Sequence, residues 1–109
     1  MPDMNFQLDH VNIPSKDPEG MALWYAKTFG LQADRHLARG PGTLIAFEKG
    51  EPLQRAPAMH VGFRVASLTA LSEWATRFGT KIKEGEEFHS LRTFDPEGNC
   101  VEMYCKTKS

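Results

Sequence analysis

An internal repeat constrains the fold of this chain more than any other feature of its sequence. His10 and His60 lie fifty residues apart, each directly before a valine, and apolar residues then recur at every second position. Each segment is followed by a helix-like stretch that ends in Phe-Gly, at Phe29–Gly30 and at Phe78–Gly79. Such repetition predicts two similar halves. Because 109 residues is the usual size of one domain, we expect a single domain at 1–109, made of repeats at about 6–55 and 58–106.

Composition excludes several classes of partner. The formal net charge is -1, so there is no basic excess of the kind that binds nucleic acid or an anionic membrane surface. We find no run of about twenty apolar residues and no signal peptide, which leads us to expect a cytoplasmic protein. The two cysteines, Cys100 and Cys105, would point to opposite faces of one strand and could not pair with each other. We interpret them as reduced thiols, with a reactive Cys100 as the alternative.

The first half shows a βα pattern followed by strands. Alternating apolar residues predict a strand, and Asp17-Pro18 gives an N-cap and a first-turn proline for a helix that Gly30 ends. The elements we expect are a strand at Phe6–Pro14, a helix from Asp17 to Gly30, a strand at Leu31–Leu37, a turn at Arg39–Gly42, a strand at Thr43–Phe47 and a short strand at Leu53–Ala56.

The second half repeats this order after a linker at Arg55–Ala58. The apolar stripe of its helix consists of Leu68, Leu71, Trp74, Ala75 and Phe78. The remaining elements are strands at Met59–Val65, Lys81–Lys83, Phe88–Phe94 and Asn99–Cys105, the last two joined by a type I turn at Asp95–Gly98. Two βα units followed by antiparallel strands predict an α+β fold, with helices on one face of curved sheets.

Three predicted strands carry the residues of a possible metal site on their polar faces. Side chains alternate between the two faces of a strand, so the apolar faces pack under the helices. The other faces then carry His10, His60 and Glu102, one on each strand. Two imidazoles and a carboxylate are a ligand set for Fe(II), Mn(II), Zn(II) or Ni(II), with positions left for water or substrate. The alternative is that each is an ordinary surface residue.

At these residues the sequence resembles the vicinal oxygen chelate superfamily, which includes glyoxalases, bleomycin-resistance proteins and extradiol dioxygenases. The stretches that carry the resemblance are Leu8–Asn12, Trp24–Leu31, His60–Val65 and Phe94–Glu102. The resemblance implies two βαβββ modules whose mixed sheets curl around a cavity with one divalent metal ion, with the helices on the outer face. It also implies a homodimer, and it places His10, His60 and Glu102 at metal-ligand positions.

Departures from the family pattern limit the prediction of the reaction. Glyoxalase I enzymes have a fourth ligand, a glutamate, for which Glu48 is the nearby candidate; a surface position for Glu48 is the alternative. Extradiol dioxygenases carry a tyrosine where this chain has Arg92, which argues against ring cleavage. His89 could supply the acid–base histidine of those enzymes, although its side chain alternates to the other face, and His36 is a weaker candidate.

Three further side chains are candidates for contact with a substrate. Arg64 shares the face of His60, and either Arg64 or Arg92 could pair with a carboxylate or phosphonate. The alternative is that both arginines extend into solvent. Tyr104 shares the face of Glu102 and could line the pocket or donate a hydrogen bond to a side chain that binds the metal.

We therefore expect a small metalloenzyme that acts on a small oxygen-rich metabolite or xenobiotic. In this superfamily the metal binds two neighbouring substrate oxygens and stabilises the charge that develops on one of them. Lyase, isomerase or transferase chemistry is favoured over ring cleavage. The alternative function is a metal-free module that sequesters a small molecule, as in bleomycin resistance.

Overall fold

The computed structural model describes residues 4–53 and 59–107. The chain divides into two compact units, Met1–Leu53 and Gln54–Ser109, which we call the first half and the second half. The elements of the first half are β1 (Val11–Ser15), α1 (Pro18–Phe29), β2 (Gln32–Asp34), β3 (Leu37–Gly40) and β4 (Thr43–Lys49). Those of the second half are β5 (His60–Arg64), α2 (Leu68–Phe78), β6 (Lys83–Glu84), β7 (Phe88–Phe94) and β8 (Cys100–Lys106).

Each half contains a mixed four-stranded sheet with one helix. The strand order is β1-β4-β3-β2 in the first half and β5-β8-β7-β6 in the second. The first strand of each half runs parallel to the last, and the other pairs are antiparallel. A parallel pair needs a crossover connection. In each half this connection begins with the helix, α1 or α2, and continues through the two following strands. The predicted α+β fold of two βαβββ modules is confirmed.

Both helices begin and end at the residues that the sequence indicated. The Asp17 carboxylate accepts a hydrogen bond from the Gly20 backbone N–H, and the Ser67 hydroxyl caps α2 in the same way. Gly30 and Gly79 end the helices in the left-handed conformation that glycine adopts without steric cost. Within the described residues, neither helix is long and apolar enough to cross a membrane.

One face of each sheet packs against its helix. Tyr25 of α1 is fully buried, and its ring centroid lies 5.2 Å from that of Phe47 on β4. On α2 the buried side chains are Leu71 and Ala75, whereas Leu68, which the stripe predicted as a core residue, is 44% exposed. We call the opposite side of each sheet its open face.

The prediction for the segment after α1 was wrong. The expected single strand at Leu31–Leu37 is a hairpin of β2 and β3, in which Asp34 pairs with Leu37. The tight connection places Arg35 at a φ of 53°, and such left-handed positions suit two-residue hairpin loops. The sheet therefore has four strands without the expected strand at Leu53–Ala56, of which Leu53 is in no strand and the rest lies outside the described residues.

Other strand boundaries also differ from the prediction. The first strand begins at Val11 rather than Phe6, so His10 lies directly before β1. The strand after α2 is Lys83–Glu84 rather than Lys81–Lys83. The expected linker at Arg55–Ala58 lies outside the described residues.

The turn between β7 and β8 sets the register of the second sheet. The Gly98 N–H donates to the Asp95 carbonyl, as a type I turn requires, and the Asp95 N–H donates to the Asn99 carbonyl. Gly98 has a φ of 84°, and a type I turn followed by a left-handed residue forms a bulged hairpin. The Asp95 carboxylate also accepts hydrogen bonds from the Asn99 backbone and side chain, which join the two ends of this turn. As a result Phe94 pairs with Cys100, and Arg92 pairs with Glu102.

Candidate functional site

The strand register of the second half brings three predicted site residues to one place. Glu102 on β8 pairs with Gly62 on β5 and with Arg92 on β7. Pairs across neighbouring strands share a face of the sheet, so Glu102 and Arg92 lie side by side on the open face. His60 lies two residues before Gly62 and therefore shares this face.

The Glu102 carboxylate contacts a different residue with each oxygen. Its Oε1 lies 3.5 Å from His60 Nε2, and its Oε2 lies 3.5 Å from Arg92 Nε. The side chains of His60 and Glu102 are partly exposed, at 24% and 23%, whereas that of Arg92 is 48% exposed. The guanidinium thus holds one carboxylate oxygen and leaves the other facing the imidazole.

This geometry fits a shared metal ion. Two ligand atoms that each lie about 2.1 Å from a tetrahedral ion are about 3.4 Å apart, close to the separation of His60 Nε2 and Glu102 Oε1. An imidazole and a carboxylate are also ligands that first-row divalent metals accept. The contact of Arg92 with the second oxygen favours ligation through a single oxygen, since metal-binding carboxylates are commonly oriented by such hydrogen-bonding partners.

Open space lies beside the Glu102 carboxylate. A methyl group added at Gly62 would meet no atom within 4 Å. Arg64 pairs with Tyr104, two residues further along the same two strands. The Tyr104 ring packs edge-on against Phe88, with the ring centroids 5.5 Å apart. Tyr104 is therefore held in place next to the carboxylate.

Cys100 lies on the same face, with its thiol buried. It pairs across the sheet with His60. Burial raises the pKa of the Cys100 thiol; Arg92 lowers this pKa and Glu102 raises it, with a net increase. The thiolate is the reactive form, so a raised pKa argues against the reactive-cysteine alternative.

His10 lies at the position of the first half that corresponds to His60. Its side chain is half exposed, and its Nδ1 lies 2.8 Å from Asp9 Oδ2. When Nδ1 carries the proton, it donates to the Asp9 carboxylate and leaves the lone pair on Nε2. Metal-binding histidines commonly have such a carboxylate partner. Asp9 precedes His10 in the sequence, but the alternation of side chains assigns no role to Asp9.

Glu48 does not occupy the first-half equivalent of Glu102. Asn12 pairs with Ala46 as Gly62 pairs with Glu102, so Ala46 is the equivalent residue. Glu48 lies two residues further along β4, pairs with Pro14 and is exposed. It borders a cavity of about 350 Å³ that His36 also borders.

The remaining histidine candidate lies on the other face of its sheet. His89 pairs with Cys105, and within the described residues its buried Nδ1 atom has no hydrogen-bond partner. Because Cys105 lies on the packed face of the sheet, His89 points away from Glu102. Within residues 4–53 and within residues 59–107, no group of three or more His, Cys, Asp or Glu side chains lies close enough to hold a metal ion.

The family of this chain is established by its sequence. The model of the Glyoxalase/Bleomycin resistance protein/Dioxygenase superfamily matches residues 7–103. The chain therefore belongs to this superfamily, and the resemblance stated above is confirmed. No curated protein matches the chain.

Several solved structures share the fold of this chain. The oxidase ChaP-H1 has a TM-score of 0.73 at 17% identity, over 93% of this chain and 96% of that one. The fosfomycin resistance protein FosX from Listeria monocytogenes has a TM-score of 0.70 at 19% identity, over 96% and 97%. Lactoylglutathione lyase from Agrobacterium tumefaciens has a TM-score of 0.65 at 16% identity, over 94% and 96%. At these identities the likeness shows the fold alone, and the three proteins are named for different activities.

Proposed function

We propose that this protein is a cytoplasmic enzyme that uses one divalent metal ion to act on a small oxygen-rich metabolite or xenobiotic. The observation that carries the proposal is the 3.5 Å separation of His60 Nε2 and Glu102 Oε1 on the open face. These two residues and His10 would hold the ion, which is Fe, Mn, Zn or Ni on the chemistry of the ligands. When bound, the ion would act as a Lewis acid on two neighbouring substrate oxygens.

The other residues of the open face would orient the ligands and the substrate. Arg92 fixes the Glu102 carboxylate through its Oε2, and Asp9 fixes the tautomer of His10. Arg64 and Tyr104 lie next to Glu102 and would contact the substrate. We favour lyase, isomerase or transferase chemistry over ring cleavage, because Arg92 stands where ring-cleaving relatives carry a tyrosine.

The metal content of the purified protein tests this proposal. The protein would be incubated separately with Fe(II), Mn(II), Ni(II) and Zn(II), desalted and measured by elemental mass spectrometry. We expect one ion per chain for at least one metal, and a loss of metal in His10→Ala and Glu102→Ala, since even the loss of a residue that orients a ligand costs about 10–100-fold in affinity.

Two matched variants control for the loss of a histidine or a carboxylate as such. His36→Ala removes a histidine in the β2–β3 turn, and Glu84→Ala removes an exposed carboxylate on β6. Both should retain the metal. Retention of metal by Glu102→Ala would refute the site. If no metal is retained under any condition, the metal-free binding function becomes the better explanation, and a ligand screen would replace the activity assays.

We also propose that the protein is a homodimer. Met4, Phe6 and Leu8 alternate along the segment before β1 and are 80%, 96% and 85% exposed. Exposed apolar side chains that lie together commonly mark a protein interface. Sedimentation analysis should show a dimer for the natural chain and a monomer after substitution of all three residues by serine; an unchanged dimer would exclude this segment from the interface.

A further inference from the structure

The open face of the second sheet carries a concentration of positive charge that the whole chain does not. The register Lys83–Ser90–Tyr104–Arg64 runs across all four strands, next to the pairs of Arg92 with Glu102 and of Phe88 with Lys106. Four cations therefore share this face with one carboxylate; they are Arg64, Lys83, Arg92 and Lys106. Yet the formal net charge of the chain is -1.

A cavity of about 690 Å³ lies at the end of β5 and β8, where Arg64 and Lys106 border it together with the start of α2 and with His89 of the packed face. Small-molecule sites have volumes of roughly 300–1,000 Å³ and hold a few convergent polar groups. Like charges on one face repel each other, and an anion bound among them relieves this repulsion.

We propose that the ligand of this face is a small molecule with at least two negative charges on oxygen, and that Arg64 and Arg92 determine this specificity. The inference rests on the proposed function only in taking this face as the substrate site. Arg64 and Arg92 lie on opposite sides of β8, Arg64 paired with Tyr104 and Arg92 with Glu102, two residues apart on that strand. Guanidinium groups suit this role because they bind carboxylate or phosphate oxygens through paired hydrogen bonds.

The ion pair between Arg92 and Glu102 explains why a single negative charge on the ligand would not suffice. In the protein without ligand, the Glu102 carboxylate balances the charge of Arg92. Among the strand residues of this face, Arg64, Lys83 and Lys106 then remain as an excess of cations. A monoanion would leave most of this excess in place, whereas a dianion offsets the greater part of it.

Titration of the metal-free protein with inorganic phosphate tests the inference. Binding would be measured by calorimetry at pH 7.5 and low salt, and located by the amide shifts of β5, β7 and β8. We expect Arg64→Gln and Arg92→Gln each to weaken phosphate binding about tenfold, the value of one charge-assisted hydrogen bond. Arg92→Lys should retain part of the affinity because it keeps the charge.

Arg77→Gln is the matched control, since it removes one positive charge from α2, where Arg77 stacks on Trp74. It should change phosphate affinity less than twofold. An equal loss in Arg77→Gln would show that only overall charge matters and would overturn the inference, as would phosphate affinity no better than that of acetate. Phosphate binding without metal retention would instead refute the metalloenzyme and leave this inference standing, so the two failures are distinguishable.

Discussion

The two halves of the protein have the same topology but different open faces. On the strands of the first sheet, the open face carries one cation and two carboxylates, from Arg39, Asp34 and Glu48. The open face of the second sheet carries four cations and one carboxylate. The backbone and the packed face have been kept between the repeats, whereas the charges of the open face have not.

The contrast is sharpest at equivalent register positions. The second half aligns Gly62, Glu102 and Arg92, and the first half aligns Asn12, Ala46 and Leu37 at the same places. The second half therefore has a charged pair, Glu102 and Arg92, where the first half has two apolar side chains, Ala46 and Leu37. The histidine is thus repeated and the carboxylate is not, which suits one metal site per chain and not two.

The largest expected effect tests the similarity of the two packed faces. Phe47 and Met103 occupy equivalent positions, opposite Ile13 and Phe63, and both are almost fully buried. Removing a large core side chain costs about 3–5 kcal/mol for Phe→Ala and about 2–5 kcal/mol for Met→Ala. We therefore expect both alanine variants to lower the free energy of unfolding by several kcal/mol, measured by urea denaturation.

Tryptophan fluorescence can follow this unfolding, because Trp24 and Trp74 report on one helix each. Phe94→Ala is the control: Phe94 is 59% exposed, so this variant should lose less than about 1 kcal/mol. A loss for Met103→Ala as small as that for Phe94→Ala would show that the second half lacks the packed face inferred for it.

A smaller effect should distinguish the surroundings of the two histidines. The residue before His10 is Asp9, which contacts its Nδ1, whereas the residue before His60 is Met59, which is 63% exposed. Loss of a carboxylate partner of a metal-binding histidine lowers metal affinity about tenfold or more. Asp9→Asn should therefore weaken metal binding by about this factor in a calorimetric titration, and Met59→Leu should not. Equal affinities for Asp9→Asn and the natural chain would mean that Asp9 does not support His10 as a ligand.

Local sequence signals were sufficient for much of the fold, since caps, glycines and alternation depend on nearby residues. They predicted both helices and the faces of His60, Glu102 and Arg64. The β2–β3 hairpin was missed because its loop contains Arg35 in a left-handed conformation, with no glycine or asparagine to signal it. The position of His10 relative to β1 was also misjudged, because alternation in a sequence continues beyond the residues that actually pair.

The contact of Arg92 with Glu102 could not be obtained from alternation alone. Alternation assigns each residue to a face, but the partner across a hairpin depends on the number of residues in the turn. A four-residue loop at Asp95–Gly98 would have paired Phe94 with Asn99. The bulge at Gly98 adds one residue and pairs Phe94 with Cys100 instead, which brings Arg92 opposite Glu102.

The smallest expected effect tests this dependence by the same substitution at two glycines. Gly98→Ala forces a side chain into a φ of 84°, which costs about 1–2 kcal/mol. Gly62→Ala lies in a strand with open space around it, so its free energy of unfolding should stay within about 0.5 kcal/mol of the natural value.

Phosphate affinity is the second measurement on this pair of variants, and it reports on the contact of Arg92 with Glu102. If the bulge sets the register, relaxing it in Gly98→Ala separates Arg92 from the carboxylate, and phosphate binding weakens as it does in Arg92→Gln. Gly62→Ala leaves the register intact and should keep the phosphate affinity within about threefold. A Gly98→Ala protein that is less stable but binds phosphate normally would show that β7 and β8 hold their register without the turn. The open face would then owe its charge arrangement to strand packing, and the turn would contribute stability only.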